Sequence, residues 1–362
     1  MSLGVREAVR VPGRPAIRVG RLSWVLRVRV LAVSVIGLGL LVLAIAANVG
    51  RGEFPIALGD VLEVLFGGGQ RAQRFVVWEL RLPRALTGAL VGAALALSGA
   101  ITQIIVRNPL ATPDILGITA GAGVGAVSVI AFGGSYGVLT GALADVGIPV
   151  AGLVGGLLSA VVVWLLAWRN GLESYRLVLV GLGVDALLKG VTFWLLTVGD
   201  VNDAARAVTW LAGSLHGRGW EHVQPVGLAL AVLLPLALLG AYTLGVLSFG
   251  DDTARGLGVR VNAARIGMLL CAVALAAVAT AAAGPIAFVA LATPQIAMRL
   301  CRTAQPPLVA STVLGALLTV TADLVARTAF DAAEFPVGVV TGVLGASYLA
   351  YLLARRYREV RA

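Results

Sequence analysis

Two acid–base pairs lie where an apolar chain has least use for charge. Asp185 and Lys189 stand four residues apart in YRLVLVGLGVDALLKGVTFWLLTV, and Asp323 and Arg327 repeat the spacing in LTVTADLVART. Residues four apart share one helical face, so each member can neutralise the other. An isolated charge at the middle of a membrane helix costs roughly 2.5–3.5 kcal/mol on the insertion scale, which pairing or water offsets. For Asp185–Lys189 two readings stay open: a polar lining of a path, or a structural pair. Asp323–Arg327, near the outer end of its segment, reads as a self-contained pair or as side chains reaching the interface. Two such pairs fall short of a proton relay.

Other chemistry is poorly provided for. Lys189 is the only lysine and sits in no GxxxxGK[ST] loop, and no HExxH motif occurs. Asp251 and Asp252 precede TARGLG in a basic stretch, with no second acidic cluster to hold a metal against a diphosphate. Cys271 and Cys301 form neither a metal motif nor a disulfide framework, and His216 and His222 are too few for a histidine-rich metal site. No catalytic residue, metal ligand or bound cofactor is expected, and hydrolysis or group transfer by this chain alone is not the expected activity.

The elements that must position these residues are membrane spans. Of 362 residues, 59% are hydrophobic and 13% charged, against about 25% charged in soluble domains. Val30–Val49 (VLAVSVIGLGLLVLAIAANV) carries no charge. At 1.5 Å per residue such a helix crosses the roughly 30 Å hydrocarbon layer. Candidate spans fall at 30–49, 85–106, 117–133, 148–168, 176–197, 225–248, 262–282, 285–300, 306–325 and 337–354. The expectation is an all-α polytopic protein of about ten transmembrane helices. It divides into a cytoplasmic N-terminal segment (1–29), one transmembrane domain (30–354) and a cytoplasmic tail (355–362). A signal peptide is a poorer account of the first span, which is longer than a signal core and is followed by many more.

Arginines orient the chain. Arg6, Arg10, Arg14, Arg18, Arg21, Arg27 and Arg29 precede the first span, and Arg355, Arg356, Arg358 and Arg361 follow the last. By the positive-inside rule both termini are cytoplasmic, which explains the net charge of +10 without nucleic acid. Arg107, Arg169, Arg176, Arg255, Arg260, Arg265, Arg299 and Arg302 then fall inside. Arg51, Arg71, Arg74, Arg81, Arg84, Arg206 and Arg218 fall outside. Two outer stretches are amphipathic: Pro55–Phe66, with Leu58, Val61, Leu62 and Leu65 on one face, and Ala204–Gly217. Trp210 and Trp220 suit an interface. Gly117, Gly121 and Gly125, and Gly338 with Gly342, read as close-packing positions.

Three segments break the pattern. Pro285, after Gly284, and Pro294 interrupt AAAGPIAFVALATPQIAMRL, which suits a segment lining or hinging a path. VRNPLATPDILGITAGAG (Val106–Gly123) is polar between apolar runs and reads as a cytoplasmic turn. Asn108, Pro109 and Pro113 set its geometry, and Asp114 is a candidate cap for the next helix. In SFGDDTARGLGVRVNAAR (Ser248–Arg265), Asp251 or Asp252 caps a short helix that Gly256 and Gly258 end. This is either a rigid docking helix or an ordinary charged loop.

Several separate stretches carry a resemblance: RLPRALTGALVGAALALSGAITQIIVRNPLATPDILGITAGAG, WLAGSLHGRGW, DDTARGLGVRV, GPIAFVALATPQIAMRL and ADLVARTAFDAAEFPVGVVTGVLGASYLAYLL. In order and spacing, over most of Arg81–Leu353, the chain resembles the permease family of ABC importers for iron–siderophore complexes, haem and vitamin B12 (type II importers). The resemblance implies ten helices and a second permease subunit, identical or paralogous. It also implies two cytoplasmic ATPases that use ATP and Mg, and an extracytoplasmic solute-binding protein. The coupling loop falls at about 249–261, with Asp252, Thr253, Ala254, Arg255, Gly256, Leu257 and Gly258 as its helix. Ferric siderophore is the implied cargo, held in its chelator, with vitamin B12 or haem as alternatives. Arg51, Arg81 and Arg218 become candidate contacts for the binding protein. Two positions depart from the family pattern: Gln295 replaces a common histidine, and Thr112 replaces the aspartate of NPLADP. The rival class is an ion-coupled secondary transporter, for which Asp185–Lys189 is the sole candidate ion site. The location implied is a bacterial plasma membrane.

Overall fold

Uncharged runs long enough to span a membrane become helices because lipid leaves the backbone no other partner for its polar groups. The computed structural model describes residues 16–19, 22–25, 27–52, 55–133, 142–168, 174–329 and 334–361. A short antiparallel ribbon, β1 (Ala16–Val19) and β2 (Leu22–Val25), precedes the helices. The first span is α1 (Val28–Gly50). Outside it come α2 (Leu58–Leu65) and α3 (Arg71–Phe75). A π-helical turn (Val76–Arg81) joins α3 to α4 (Leu82–Val106). After a 3-10 turn (Pro113–Leu116) follow α5 (Ile118–Gly133), α6 (Ala142–Ala167) and α7 (Ser174–Val198). Outer α8 (Val201–Leu211) leads to α9 (Trp220–Leu239) and α10 (Ala241–Leu247). The short α11 (Asp251–Gly256) precedes α12 (Val261–Ala283), α13 (Val289–Cys301), α14 (Leu308–Thr328) and α15 (Val337–Arg361).

Among the described residues, seven helices are long and apolar enough to cross a membrane, and shorter apolar helices lie at 118–132, 289–301 and 337–351. Together they occupy the ten expected positions.

Helix α4 is the centre of the bundle. From Pro83 to Val106 nearly every residue is buried, against α9, α12, α13 and α14. Its sequence explains this, since glycine, alanine and serine let neighbouring backbones approach closely. A methyl built on Gly92 falls on the Gly315 carbonyl of α14, and one on Gly99 falls on the Ala290 carbonyl of α13. The pair α5–α6 is joined the same way, Gly121 against Gly155 and Gly125 against Ala151. Gly117 differs: it ends the 3-10 turn with φ +67°, a conformation open to glycine at little strain. Gly338 abuts the Ala212 carbonyl, whereas Gly342 faces open space.

Leucines of α1, α7 and α9 point away from the bundle, among them Leu43, Leu187 and Leu228. These are the faces suited to lipid or to a partner.

Some local expectations change. Helix α2 packs inward through Val61 and Val64, leaving Leu62, Leu65 and Phe66 exposed. Trp210 is buried rather than interfacial. Trp220 does lie at the outer end, stacked on Trp78 at 6.3 Å. The eighth span starts at Val289 rather than at 285, because Gly284 and Phe288 both take positive φ and hold 284–288 out of helix.

Candidate functional site

Two irregular segments enter the bundle from opposite ends. Arg107 closes α4 in the left-handed conformation (φ 56°), and Asn108 Oδ1 accepts the Leu110 backbone N–H at 3.0 Å. The turn expected here is confined to about 107–111. Beyond it the chain climbs back, and a Cβ on Gly117 would meet Ser159 of α6, Val184 and Leu188, well inside those helices rather than at their ends. Pro113 is therefore buried among the helices and Asp114, exposed in this chain, lines a cavity between them instead of a cytoplasmic turn, while Asn108 and Pro109 stay exposed at the end of α4. The Asp114 carboxylate accepts the Thr119 hydroxyl of α5, so it joins the turn to the helix through a side chain and not as a backbone cap.

From the other end comes 284–288. Gly284 carries φ +72°, and Pro285 follows it beneath Gly213, whose added Cβ would strike the Pro285 carbonyl. Ser214 N–H donates to the Ala283 carbonyl at 2.8 Å, and Gly338 N–H to the Gly213 carbonyl at 3.0 Å. These bonds tie the α8–α9 connection to the outer ends of α12 and α15.

The segments meet at a cavity of about 210 Å³, lined by Asp114, Thr119, Asp185, Lys189, Thr280 and Phe288, among others. Lys189 Nζ lies 2.8 Å from Asp185, and the lysine side chain is 64% exposed. The i,i+4 pair thus forms, on a face of α7 that this chain leaves open. Irregular backbone at membrane depth is tolerated where protein or a polar cavity serves it, and here it packs between helices beside a cavity lined by Asp114, Asp185 and Lys189.

Pro294 sits inside α13 and cannot donate to Ala290, its partner one turn earlier. Gln103 of α4 reaches across, its amide donating to the Leu291 carbonyl at 3.0 Å and to the Ala290 carbonyl at 3.5 Å. Gln295 in turn donates to Gln103 Oε1 at 2.6 Å. The departure at Gln295 is thereby a structural amide partner buried between two helices.

At the cytoplasmic end α11 is held between α10 and α12. Ala254 is fully buried among Val246, Leu247 and Val261, so it anchors the helix and presents nothing outward. Asp252, Thr253, Arg255, Gly256, Leu257 and Gly258 are exposed. Leu257 is 61% exposed, an apolar side chain left uncovered among the described residues. Arg255 pairs with Asp252 at 3.0 Å.

The outer arginines divide. Arg51 is exposed. Arg81 is turned inward, only 8% exposed, with Nη1 donating to the Val49 carbonyl at 2.9 Å. It cannot meet an external protein, because the π-helical turn directs it into the bundle. Arg218 is half-buried and lines an outer cleft of about 660 Å³ with Arg206, His216 and His222.

The largest surprise is Arg84. Placed in an outer loop by its sequence position, it is buried in α4, donating to Asp323 Oδ1 at 2.9 and 3.2 Å and to Glu334 at 3.0 Å. Asn48 of α1 donates to Asp323 Oδ2 at 3.1 Å, and Arg327 lies 3.6 Å from that oxygen. Asp323–Arg327 is therefore no self-contained pair but part of a junction of α1, α4, α14 and the approach to α15. His216 contacts Glu334 at 3.0 Å. Burial pushes the Glu334 carboxyl up, but the Arg84 guanidinium and then His216 outweigh it and hold it below the usual range. Arg84 follows Pro83 at the head of an uncharged run, the one available signal that it enters the bundle.

A family model described as the FecCD transport family matches residues 40–355. The ferric enterobactin transport system permease protein FepG of Escherichia coli (strain K12) is 41% identical over 85% of this chain and 91% of its own. The achromobactin transport system permease protein CbrC of Dickeya dadantii (strain 3937) is 40% identical over 88% of this chain and 90% of its own. A solved structure described as an inward-facing conformation of a metal-chelate type ABC transporter superposes with TM-score 0.77 and 28% identity. It covers 88% of this chain and 98% of that one.

Proposed function

Because the chain belongs to the FecCD transport family, we propose that it is the membrane-spanning permease subunit of an ATP-driven importer for ferric siderophores. The similarity to permeases named for ferric enterobactin and achromobactin, across nearly the whole chain, carries this reading. Multi-pass insertion in a bacterial cell membrane and transport as a permease follow from the family.

The finer parts rest on the geometry. The exposed rim of α11, with Arg255 and Leu257 outward and Ala254 buried beneath, suits docking of a partner ATPase. ATP and Mg are used there, and the iron stays in its chelator. The cavity at Asp114, Asp185 and Lys189, together with the open face of α7, suits a path wall completed by a second permease subunit. Arg51 and Arg218 at the outer face suit approach of an acidic binding protein.

The test is reconstitution of this chain with its neighbouring ATPase and solute-binding protein in vesicles, following ferric enterobactin as the first cargo. Uptake should require ATP and all components. Uptake of vitamin B12 or haem instead would replace the cargo. Uptake by this chain without ATPase would replace the reading with an ion-coupled carrier.

A further inference from the structure

Asp251 lies just before the residues assigned to coupling, and its side chain does something none of them does. One oxygen, Oδ1, accepts Arg107 Nη2 at 2.6 Å and Arg265 Nη2 at 2.8 Å. Arg265 belongs to α12, the next span along the chain, and its side chain is only 6% exposed. Arg107 is 144 residues away in sequence and closes α4. A single carboxylate thus fastens the start of α11 to a span it does not adjoin in sequence. Charge-assisted bonds of this length are the strong class.

What lies beyond Arg107 gives the contact its meaning. The residue is the left-handed pivot from which the chain turns back into the bundle. Pro109 and Pro113 fix their own φ, and each holds the residue before it away from helix. The Asn108 side chain closes the turn on Leu110. The segment is stiff, so a displacement applied at Arg107 is delivered to Asp114 and the cavity rather than absorbed on the way.

We infer that Asp251 is a positioning residue that couples α11 to the re-entrant segment 107–117 through Arg107, so that movement of the cytoplasmic helix reaches the Asp114–Asp185–Lys189 cavity. The inference rests on the proposed importer function.

The experiment uses the full assembly in vesicles, with Cys271→Ser and Cys301→Ser as background and Thr112→Cys as a reporter at the cavity. The readout is the rate of thiol labelling with and without ATP. A parent assembly in which the loaded binding protein fails to stimulate ATP hydrolysis would refute the proposed function itself. Given stimulation, the parent should show a nucleotide-dependent change in labelling. Coupling between sites commonly amounts to about 5–150-fold, and Asp251→Asn should bring the labelling ratio toward one while the complex still assembles. Arg107→Gln, at a partly exposed residue, should do the same with the Asp251–Arg265 bond intact, and Asp251→Glu should restore the response. Full nucleotide-dependent labelling in Asp251→Asn or in Arg107→Gln overturns the inference.

Discussion

Removing the carboxylate of Asp323 should be among the most damaging single changes in this chain. Asp323 is 1% exposed and takes two bonds from Arg84 and one from Asn48, with Arg327 also in range. In Asp323→Ala two guanidinium groups remain, and the hydrogen-bonded acid left, Glu334, reaches Arg84 but not Arg327 among them. Removing one partner of a buried pair costs about 3–5 kcal/mol, because the other charge is stranded. Soluble domains lose roughly 2–4 °C per kcal/mol, with larger ones at the low end. A chain of 362 residues should then drop by roughly 6–10 °C. The assay is the fraction of detergent-solubilised protein that stays monodisperse by size exclusion after stepwise heating. Arg84→Leu combined with Asp323→Ala restores the net charge balance, with Arg327 still donating to the carbonyl and Oδ1 of Asn48. The double variant should lose less than the sum of the singles, by about 1 kcal/mol or more. A midpoint for Asp323→Ala within about 2 °C of the parent, or strictly additive losses, would refute the argument that this junction is electrostatically closed.

Arg255→Ala with Leu257→Ala should insert normally but lower both uptake and cargo-stimulated ATP hydrolysis, since both side chains stand outward on α11; unchanged stimulation would remove the docking assignment. Gln103→Leu strips the donor from the Ala290 carbonyl that Pro294 leaves open and from that of Leu291 and should lower stability by about 1–3 kcal/mol in the same heating assay. Gly92→Ala overpacks α4 against α14 and should cost about 1–3 kcal/mol, while Gly342→Ala, facing open space, should leave the isolated chain unaffected. Glu334 is held below its ordinary pKa in the folded state, so its contribution is complete above the unfolded value of about 4.3 and fades as pH falls through the folded value. The difference between Glu334→Gln and the parent should accordingly be present at neutral pH and vanish in acid, as read by the thermal midpoint.

Uncharged length was enough to find the spans, because a membrane forces helix on any run that must cross it. The Asp185–Lys189 pair was readable from its spacing, and the α11 helix from its acidic start and glycine end, although Gly250 is its N-cap and Asp251 and Asp252 lie in the first turn with no side-chain cap. What escaped was depth and facing. Residues 112–117 look like any polar turn, and nothing in their order says that the chain re-enters the bundle; that depends on room between α6 and α7. Arg84 and Arg81 look alike beside Pro83, yet tertiary partners draw both inward: Asp323 from 239 residues away and the Val49 carbonyl. Ala254 was grouped with its exposed neighbours, although alanine on a short helix between two spans is the natural buried contact. The buried face of α2 differs from its sequence pattern because a short helix offers more than one apolar stripe, and the surface beneath it selects Val61 and Val64.

Glycine contact between backbones has a mechanical consequence. In α4–α14 and α5–α6 each helix rests so close on its neighbour that axial sliding would drive a side chain into a carbonyl. Each pair therefore behaves as a welded beam, able to tilt only as a unit. Opening and closing of a route through this subunit would then move whole helix pairs against their neighbours, and a ligand or lipid wedged between pairs would stall the machine without touching its engine.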